Sequence, residues 1–204
     1  MDLRDHILNE ADKLFCQYGI KSVTMDDIAK HLGMSKKTIY QYFSDKNHMV
    51  VTLINNRLRA EEVQMAKNSC EATNTVEEVW NAITHIKEMF SKLNPVMFYD
   101  MQKYHPDAWN AFQKFRDEQL LKCIKGNLQK GINDGYYRSD INIDIVATMR
   151  IEQIDTIFNP NIFPAGKFDL AKVMIQLTEH YLYGICTVRG HQLINKYKQS
   201  IESE

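Results

Sequence analysis

Glycine and proline are scarce, 8 and 4 of 204 residues. Both interrupt regular backbone, and period-2 alternation of β-branched residues is also rare, so the shortage argues against a sheet-rich fold and for helices throughout. Cys16, Cys70, Cys123 and Cys186 stand far apart with no C-x-x-C pair, which argues against a disulfide framework and leaves packed thiols. The seven histidines show neither i, i+4 pairing nor a nearby cysteine at ligand spacing, so no metal is expected. No apolar run is long enough to cross a membrane. The first residues, MDLRDHILNEADKLF, are charged and amphipathic, unlike a signal core, so a cytoplasmic, nucleoid-associated protein is expected, with no membrane partner. A nucleophile elbow, a phosphate loop and a carboxylate pair with an evident cleft are all missing; neither an enzyme nor a cofactor is expected. Charge of one sign is missing too. The net charge is −1, and residues 1–46 carry Arg4, Lys13, Lys21, Lys30, Lys36, Lys37 and Lys46 against Asp2, Asp5, Glu10, Asp12, Asp26, Asp27 and Asp45.

What is present is an ordinary helical core composition, 44% hydrophobic and 25% charged, and one dense local signal. The stretch TMDDIAKHLGMSKKTIYQYFSDK, Thr24 to Lys46, reads as two short helices around a tight turn. Thr24 caps the first, and Asp27, three residues on, caps back. Ile28, Ala29 and Leu32 make its apolar stripe, and Gly33 ends it in the left-handed conformation glycine adopts cheaply. Ser35 caps the second helix, whose buried side is Ile39, Tyr42 and Phe43. Its outward side is Lys36, Lys37, Thr38, Tyr40 and Gln41: cations, hydroxyls and an amide, the groups that bond phosphates and base edges. Helix pairs of this kind form helix-turn-helix units. With charges balanced across residues 1–46, attraction to DNA must come from local segregation of Lys36, Lys37 and Lys46, helped by the helix starts at Thr24 and Ser35.

Thr24, Ile28-Ala29, Gly33, Ser35, Thr38, Tyr40 and Phe43, followed by Lys46, resemble the DNA-binding domain of the TetR family of bacterial transcriptional regulators. The resemblance is close over roughly residues 5–50, and YLYGICTVRG, Tyr181 to Gly190, is similar to the family's final interface helix. It implies an all-α chain: a three-helix DNA-binding domain at 1–46, a connecting helix at 47–69, and a larger helical domain at 70–204 for effector binding and dimerisation. Lys36, Lys37, Thr38 and Gln41 are the expected groove-facing group. The resemblance makes Thr24, Ser35, Tyr40, Tyr42 and Lys46 expected phosphate contacts, with Tyr42 equally placed to be half core.

Along the chain, Leu3 to Tyr18 reads as a helix stopped by Gly19, and Asp45 caps the next, running from Lys46 to about Ser69. Thr75 with Glu78 reads as a capping box, Asn94-Pro95 as a stop, and Pro106 to about Asn133 as one long helix. Asn142 caps a helix to about Phe158, and a final long helix runs from about Asp169 to Val188, followed by a tail that adds a turn or two and frays.

Large soft side chains crowd the middle of the chain. Trp80, Met89, Phe90, Met97, Phe98, Met101, Tyr104, Trp109, Phe112 and Phe115 are either packed core or the lining of a pocket for an apolar or aromatic effector, with Tyr104, His85 and Gln153 as polar handles. On the later helices Ile145, Met149, Val173, Leu177, Tyr181, Gly184, Ile185 and Val188 are the expected dimer seam, Gly184 offering a flat spot. The resemblance implies a four-helix homodimer interface, and paired reading heads suit palindromic double-stranded operator DNA. The resulting expectation is an effector-released repressor. Its rivals are an activator, an architectural DNA-binding factor with no effector, and a helical adaptor that has lost DNA affinity.

Overall fold

The computed structural model describes residues 2–91, 96–159, 161–164 and 166–202, apart from the side chains of 86–91 and 200–202. The order is α1 Leu3–Tyr18, α2 Met25–His31, α3 Lys36–Tyr42, α4 Lys46–Glu71, α5 Thr75–Ser91, α6 Val96–Tyr104, α7 Pro106–Phe115, α8 Leu121–Asn133, α9 Ile143–Thr156, α10 Leu170–Ile185 and α11 Val188–Glu202. A π-helical turn, Arg116–Leu120, lies between α7 and α8. No strand occurs among the described residues, and the fold is all-α.

The chain forms two compact units, Met1–Ala60 with Lys92–Phe115, and Glu61–Ser91 with Arg116–Glu204. The first therefore takes in more than the helix-turn-helix region expected from sequence: α6 and α7 belong to it as well. Ile7, Leu8, Ala11 and Phe15 come from α1, Ile28 and Ala29 from α2, Ile39 from α3, and Met49, Val50 and Leu53 from α4. With Phe43, Met97, Met101 and Ala108 they make one core.

Local chemistry sets this unit's turns. Thr24 Oγ1 accepts the Asp27 N–H at 3.2 Å while Asp27 Oδ2 accepts the Thr24 N–H at 2.9 Å, the reciprocal cap read from sequence. Gly33 takes φ +64, and the Met34 N–H returns to the Ala29 carbonyl at 2.9 Å, closing α2. Ser35 Oγ accepts the Thr38 N–H at 3.1 Å, and Asp45 Oδ1 accepts the His48 N–H at 2.7 Å.

In the second unit α5 packs on α10, α11 and α8, and α8 packs on α9. Its main core joins Val76, Trp80, Leu128, Tyr137, Tyr181, Leu182, Ile185 and Ile194. Wholly buried Tyr137 reaches the Thr75 carbonyl and the Asn127 side chain, each at 2.9 Å. Gly131 makes room for that ring, since a Cβ there would stand 2.1 Å from it.

Three expectations about helix boundaries are corrected. The cap of α5 is Asn74, whose Oδ1 accepts the Glu77 N–H at 2.9 Å; the Thr75 hydroxyl is buried and has no hydrogen-bond partner among the described residues. The helix from Pro106 to Asn133 is not continuous. Its π-turn leaves Arg116 among three acids, Asp155 at 2.8 Å, Glu152 at 2.5 Å and Asp117 at 3.2 Å. The last helix stops at Ile185, where the Arg138 N–H bonds the Ile185 carbonyl at 2.8 Å and the Thr187 N–H bonds the Tyr136 carbonyl at 2.9 Å. The segment beyond this stop is longer than the turn or two expected. It is α11, which buries Ile194 completely and stacks Tyr197 on Trp80 at 6.2 Å. The stop expected at Asn94-Pro95 lies outside the described residues.

Candidate nucleic-acid interface

Helix α3 is held from below and left open above. Ile39 and the adjoining Phe43 are wholly buried, with Tyr42 half-buried against the same core. Lys36, Lys37, Tyr40 and Gln41 are exposed, and Thr38 is half-buried. Spacing on a helix forces this division: positions 39 and 43, one turn apart, go down with 42 beside them, and 36, 37, 40 and 41 face out.

Not every expected contact is free to act. Lys36 forms an ion pair with Asp26, which raises its ammonium pKa and cancels its charge locally. Thr38 Oγ1 lies 2.9 Å from Ser35 Oγ, so these two hydroxyls are engaged with each other as well as with the cap. The Thr24 hydroxyl donates to Asp27 Oδ2 at 2.6 Å. That carboxylate, its own pKa lowered by these Thr24 contacts, occupies the start of α2, which is consequently not the bare positive terminus expected. Lys46 is half-buried, donates to the Lys21 carbonyl at 3.4 Å, and has its pKa lowered by burial; it is less available to a phosphate than the sequence implied. Of the expected contacts on α3, Lys37, Tyr40 and Gln41 are left exposed, with no side-chain hydrogen bond or ion pair seen for them among the described residues.

Sequence reasoning missed the supports beneath this face. Asp100 on α6 is buried and accepts the Lys21 N–H at 2.8 Å, tying α6 to the turn that leads into α2. Arg57 on α4 pairs with Asp12 on α1 and also donates to Cys16 Sγ at 3.0 Å. His105 Nδ1 lies 3.0 Å from Asn47 Oδ1, and burial lowers its pKa. Nothing local in the sequence signals pairings across 79, 45 and 58 positions.

The expected effector residues are divided between the units. Met97 and Met101 are fully packed in the first unit's core, with Phe98, Trp109 and Phe112 against it; for these two methionines the pocket expectation is replaced by core packing. Tyr104 is exposed under Lys21, 5.1 Å from its ring. Trp80 is core in the second unit, and His85 Nε2 is held 3.1 Å from Glu61 Oε1. Gln153 is half-buried there, its Oε1 buried and without a hydrogen-bond partner among the described residues. The Phe90 side chain lies outside the described residues, as does that of Met89. The second unit also carries an open groove of about 390 Å³ beside Lys122 and Cys123, lined by none of these residues.

Among the dimer candidates, Tyr181 and Ile185 are corrected: both are buried in their own unit's core because α10 packs on α5 along that face. Val173 and Leu177 pack partly on a smaller cluster around Met174. Ile145, Met149, Gly184 and Val188 are exposed.

A seven-residue helix presented on a capped, glycine-turned partner, with polar side chains outward and core beneath, defines a helix-turn-helix transcriptional regulator. Residues 7–53 match the model of bacterial regulatory proteins of the tetR family. The HTH-type transcriptional regulator YhgD of Bacillus subtilis is 30% identical over 139 residues, spanning 66% of this chain and 72% of that one. YvaF, a second such regulator of Bacillus subtilis, is 29% identical over 191 residues, spanning 91% and 95%. The fold matches that of FadR from Bacillus subtilis solved in complex with stearoyl-CoA, with a TM-score of 0.65 at 20% identity over 88% and 97% of the two chains. The chain belongs to the TetR family, and it is a DNA-binding regulator of transcription.

Proposed function

We propose that the protein is a homodimeric repressor that holds a palindromic operator until a small molecule enters the second unit. One observation carries the DNA half: Lys37, Tyr40 and Gln41 stand exposed on a helix whose other face, Ile39 with Phe43, is locked into a core. Lys37 and Gln41 are the base-edge readers, suited to guanine and adenine respectively, and Tyr40 is a backbone contact. The exposed apolar side chains Ile145, Met149 and Val188 support a second copy as partner. The stearoyl-CoA held by the Bacillus subtilis FadR supports an effector on the same fold.

Release is a population shift. The effector favours a conformation in which α4 tilts, and the spacing of two reading helices then no longer suits successive major grooves. Within the first unit, Arg57–Asp12 and Asp100–Lys21 make α4 and α6 part of the same block as the reading head, so a shift of α4 carries α1 with it. A hundredfold loss of operator affinity requires about 2.7 kcal/mol of coupling. By linkage, operator weakens the effector equally.

Selection of bound fragments from the source genome, followed by a salt series, tests the reading. Specific binding selects a palindrome with a log–log salt slope of several units. Equal, weak retention of all fragments would instead identify an adaptor, the outcome that the balanced charges of residues 1–46 would explain. Transcription from the selected site, with and without protein, reads the sign of regulation.

A further inference from the structure

Arg150 on α9 is only 6% exposed, yet no carboxylate among the described residues pairs with it. Its Nη2 donates to Thr178 Oγ1 at 2.6 Å, its guanidinium stands 5.0 Å from the Tyr181 ring centroid, and its Nη1 is buried with no hydrogen bond among the described residues. Thr178 Oγ1 in turn donates to the Met174 carbonyl at 2.8 Å, fixing the acceptor that orients the guanidinium. Gln153, three residues along α9 and on the same side of the helix, holds a second orphan, its buried Oε1. A buried cation with an empty donor is costly unless something supplies the missing charge. The unit does not lack acids, since Arg116 gathers three of them. Burial lowers the guanidinium only to about 10, so it remains a cation at neutral pH.

We propose that Arg150 anchors the carboxylate of an amphipathic acid, which is the effector class of this protein; this rests on the effector-release reading above. A single guanidinium balances a single negative charge, which selects a monoanion. Nη1 donates to the carboxylate, and a half-turn of the Gln153 amide brings its NH2 to bear on the same group. The apolar body of the acid lies along Ile154 and Met174, each one helical turn from Arg150 and Thr178 respectively, and Met174 is a side chain that adapts its shape readily. Tyr181 walls the cation on its other side. Apolar burial supplies affinity, and the guanidinium distinguishes the acid from its neutral analogue.

The test is calorimetric titration of the full chain with straight-chain carboxylates of eight to sixteen carbons, benzoate and phenylacetate, each beside the matching alcohol. At least one acid is expected to bind at least tenfold more tightly than its alcohol. Arg150→Met should erase that preference while keeping the helical circular-dichroism signal, and with no ligand its Tm should not fall. Arg150→Lys, which keeps charge and loses the fork, should lower it severalfold. If Arg150→Met does not fold, Thr178→Val, which leaves Arg150 in place but removes its acceptor, should still lower the preference at least threefold. No acid preference in the wild type, or an unchanged preference in these variants, would overturn the assignment. Acid binding that leaves operator binding intact would retain this site and sink effector release. Release by a neutral molecule, with no acid bound, would do the reverse.

Discussion

The carboxylate of Asp100 accepts the backbone N–H of Lys21 at 2.8 Å, and a Cβ on Gly19 would stand 3.1 Å from the same oxygen. Gly19 has φ +81, so the turn that ends α1 depends both on glycine's left-handed freedom and on an acceptor delivered from α6. Asp100→Ala takes a charged acceptor away from the part-buried bond of the Lys21 N–H and should cost about 1–3 kcal/mol. Asp100→Asn, which keeps an oxygen, should cost less. Trp109 belongs to the first unit and Trp80 to the second, so urea unfolding followed by fluorescence in a Trp80→Phe background reads the first unit alone. Equal stability of Asp100→Ala and wild type would remove this contact from the framework beneath the reading face.

The two lysines at the start of α3 should behave differently. Lys36 is paired with Asp26, whereas Lys37 is exposed and no charged partner is seen for it among the described residues. Lys37→Ala, which removes a cation that reads a base edge, is expected both to relax one position of the selected motif and to reduce the salt slope of operator binding, and Lys36→Ala to reduce that slope by less. Asp26→Asn should free Lys36 and strengthen binding to all sequences. Gln41→Ala should leave that slope alone and relax one position of the selected motif, by about 1–3 kcal/mol if the contact is bidentate. Quantitative gel shifts across a salt series separate these outcomes. An unaltered motif in Gln41→Ala would remove it from the base readers.

Crowding at the π-turn gives a pH signature. Burial pushes the Asp155 carboxyl up to about 6, Glu152 and Asp117 add to this, and the attraction of Arg116 only partly offsets them. A carboxyl harder to ionise when folded binds more protons in the native state between about pH 4 and 6, so its contribution to stability falls as pH rises through that window and is level above it. Asp155→Asn cannot ionise. Relative to wild type it should therefore gain stability between pH 4 and 6 and gain no more above. Paired urea midpoints at several pH values check the trend; a difference that stays flat from pH 4 to 7 would contradict it.

How much of this was legible in the sequence depended on distance along the chain. The turn between α2 and α3 was readable because its determinants, Thr24 with Asp27, Gly33, and Ser35 with Thr38, act within three or four residues of one another. The break before α11 was not, because Thr187 pairs with Tyr136 from 51 positions away and no local breaker marks it. The π-turn was hidden likewise, since the acids Glu152 and Asp155 that gather around Arg116 come from α9. Composition singled out the aromatic and methionine run but could not say that Met97 and Met101 go to one core and Trp80 to another. Gln153 is legible as a polar handle, whereas Arg150, three residues before it, is not, because an arginine on a helix usually faces water.

Gly184 gives the cleanest test of the proposed dimer. It is exposed, and a Cβ built on it meets no heavy atom within 4 Å in its own chain. Gly184→Leu should therefore fold as well as wild type or slightly better, since glycine inside a helix costs about 1 kcal/mol. Any loss of assembly then reports on a neighbouring subunit, with no change in the monomer to explain it. Met149→Lys, on the exposed side of α9, is the independent check; its 58% exposure means that the monomer gives up little by the change. If two copies join through α9 and α10, both variants should raise the dimer dissociation constant at least tenfold by sedimentation. Operator binding should then weaken and become steeply dependent on protein concentration, because each head must find its half-site separately. Two variants that remain dimeric at low micromolar concentration would place the seam elsewhere, and a wild type that sediments as a monomer would remove the two-headed geometry on which palindrome recognition rests.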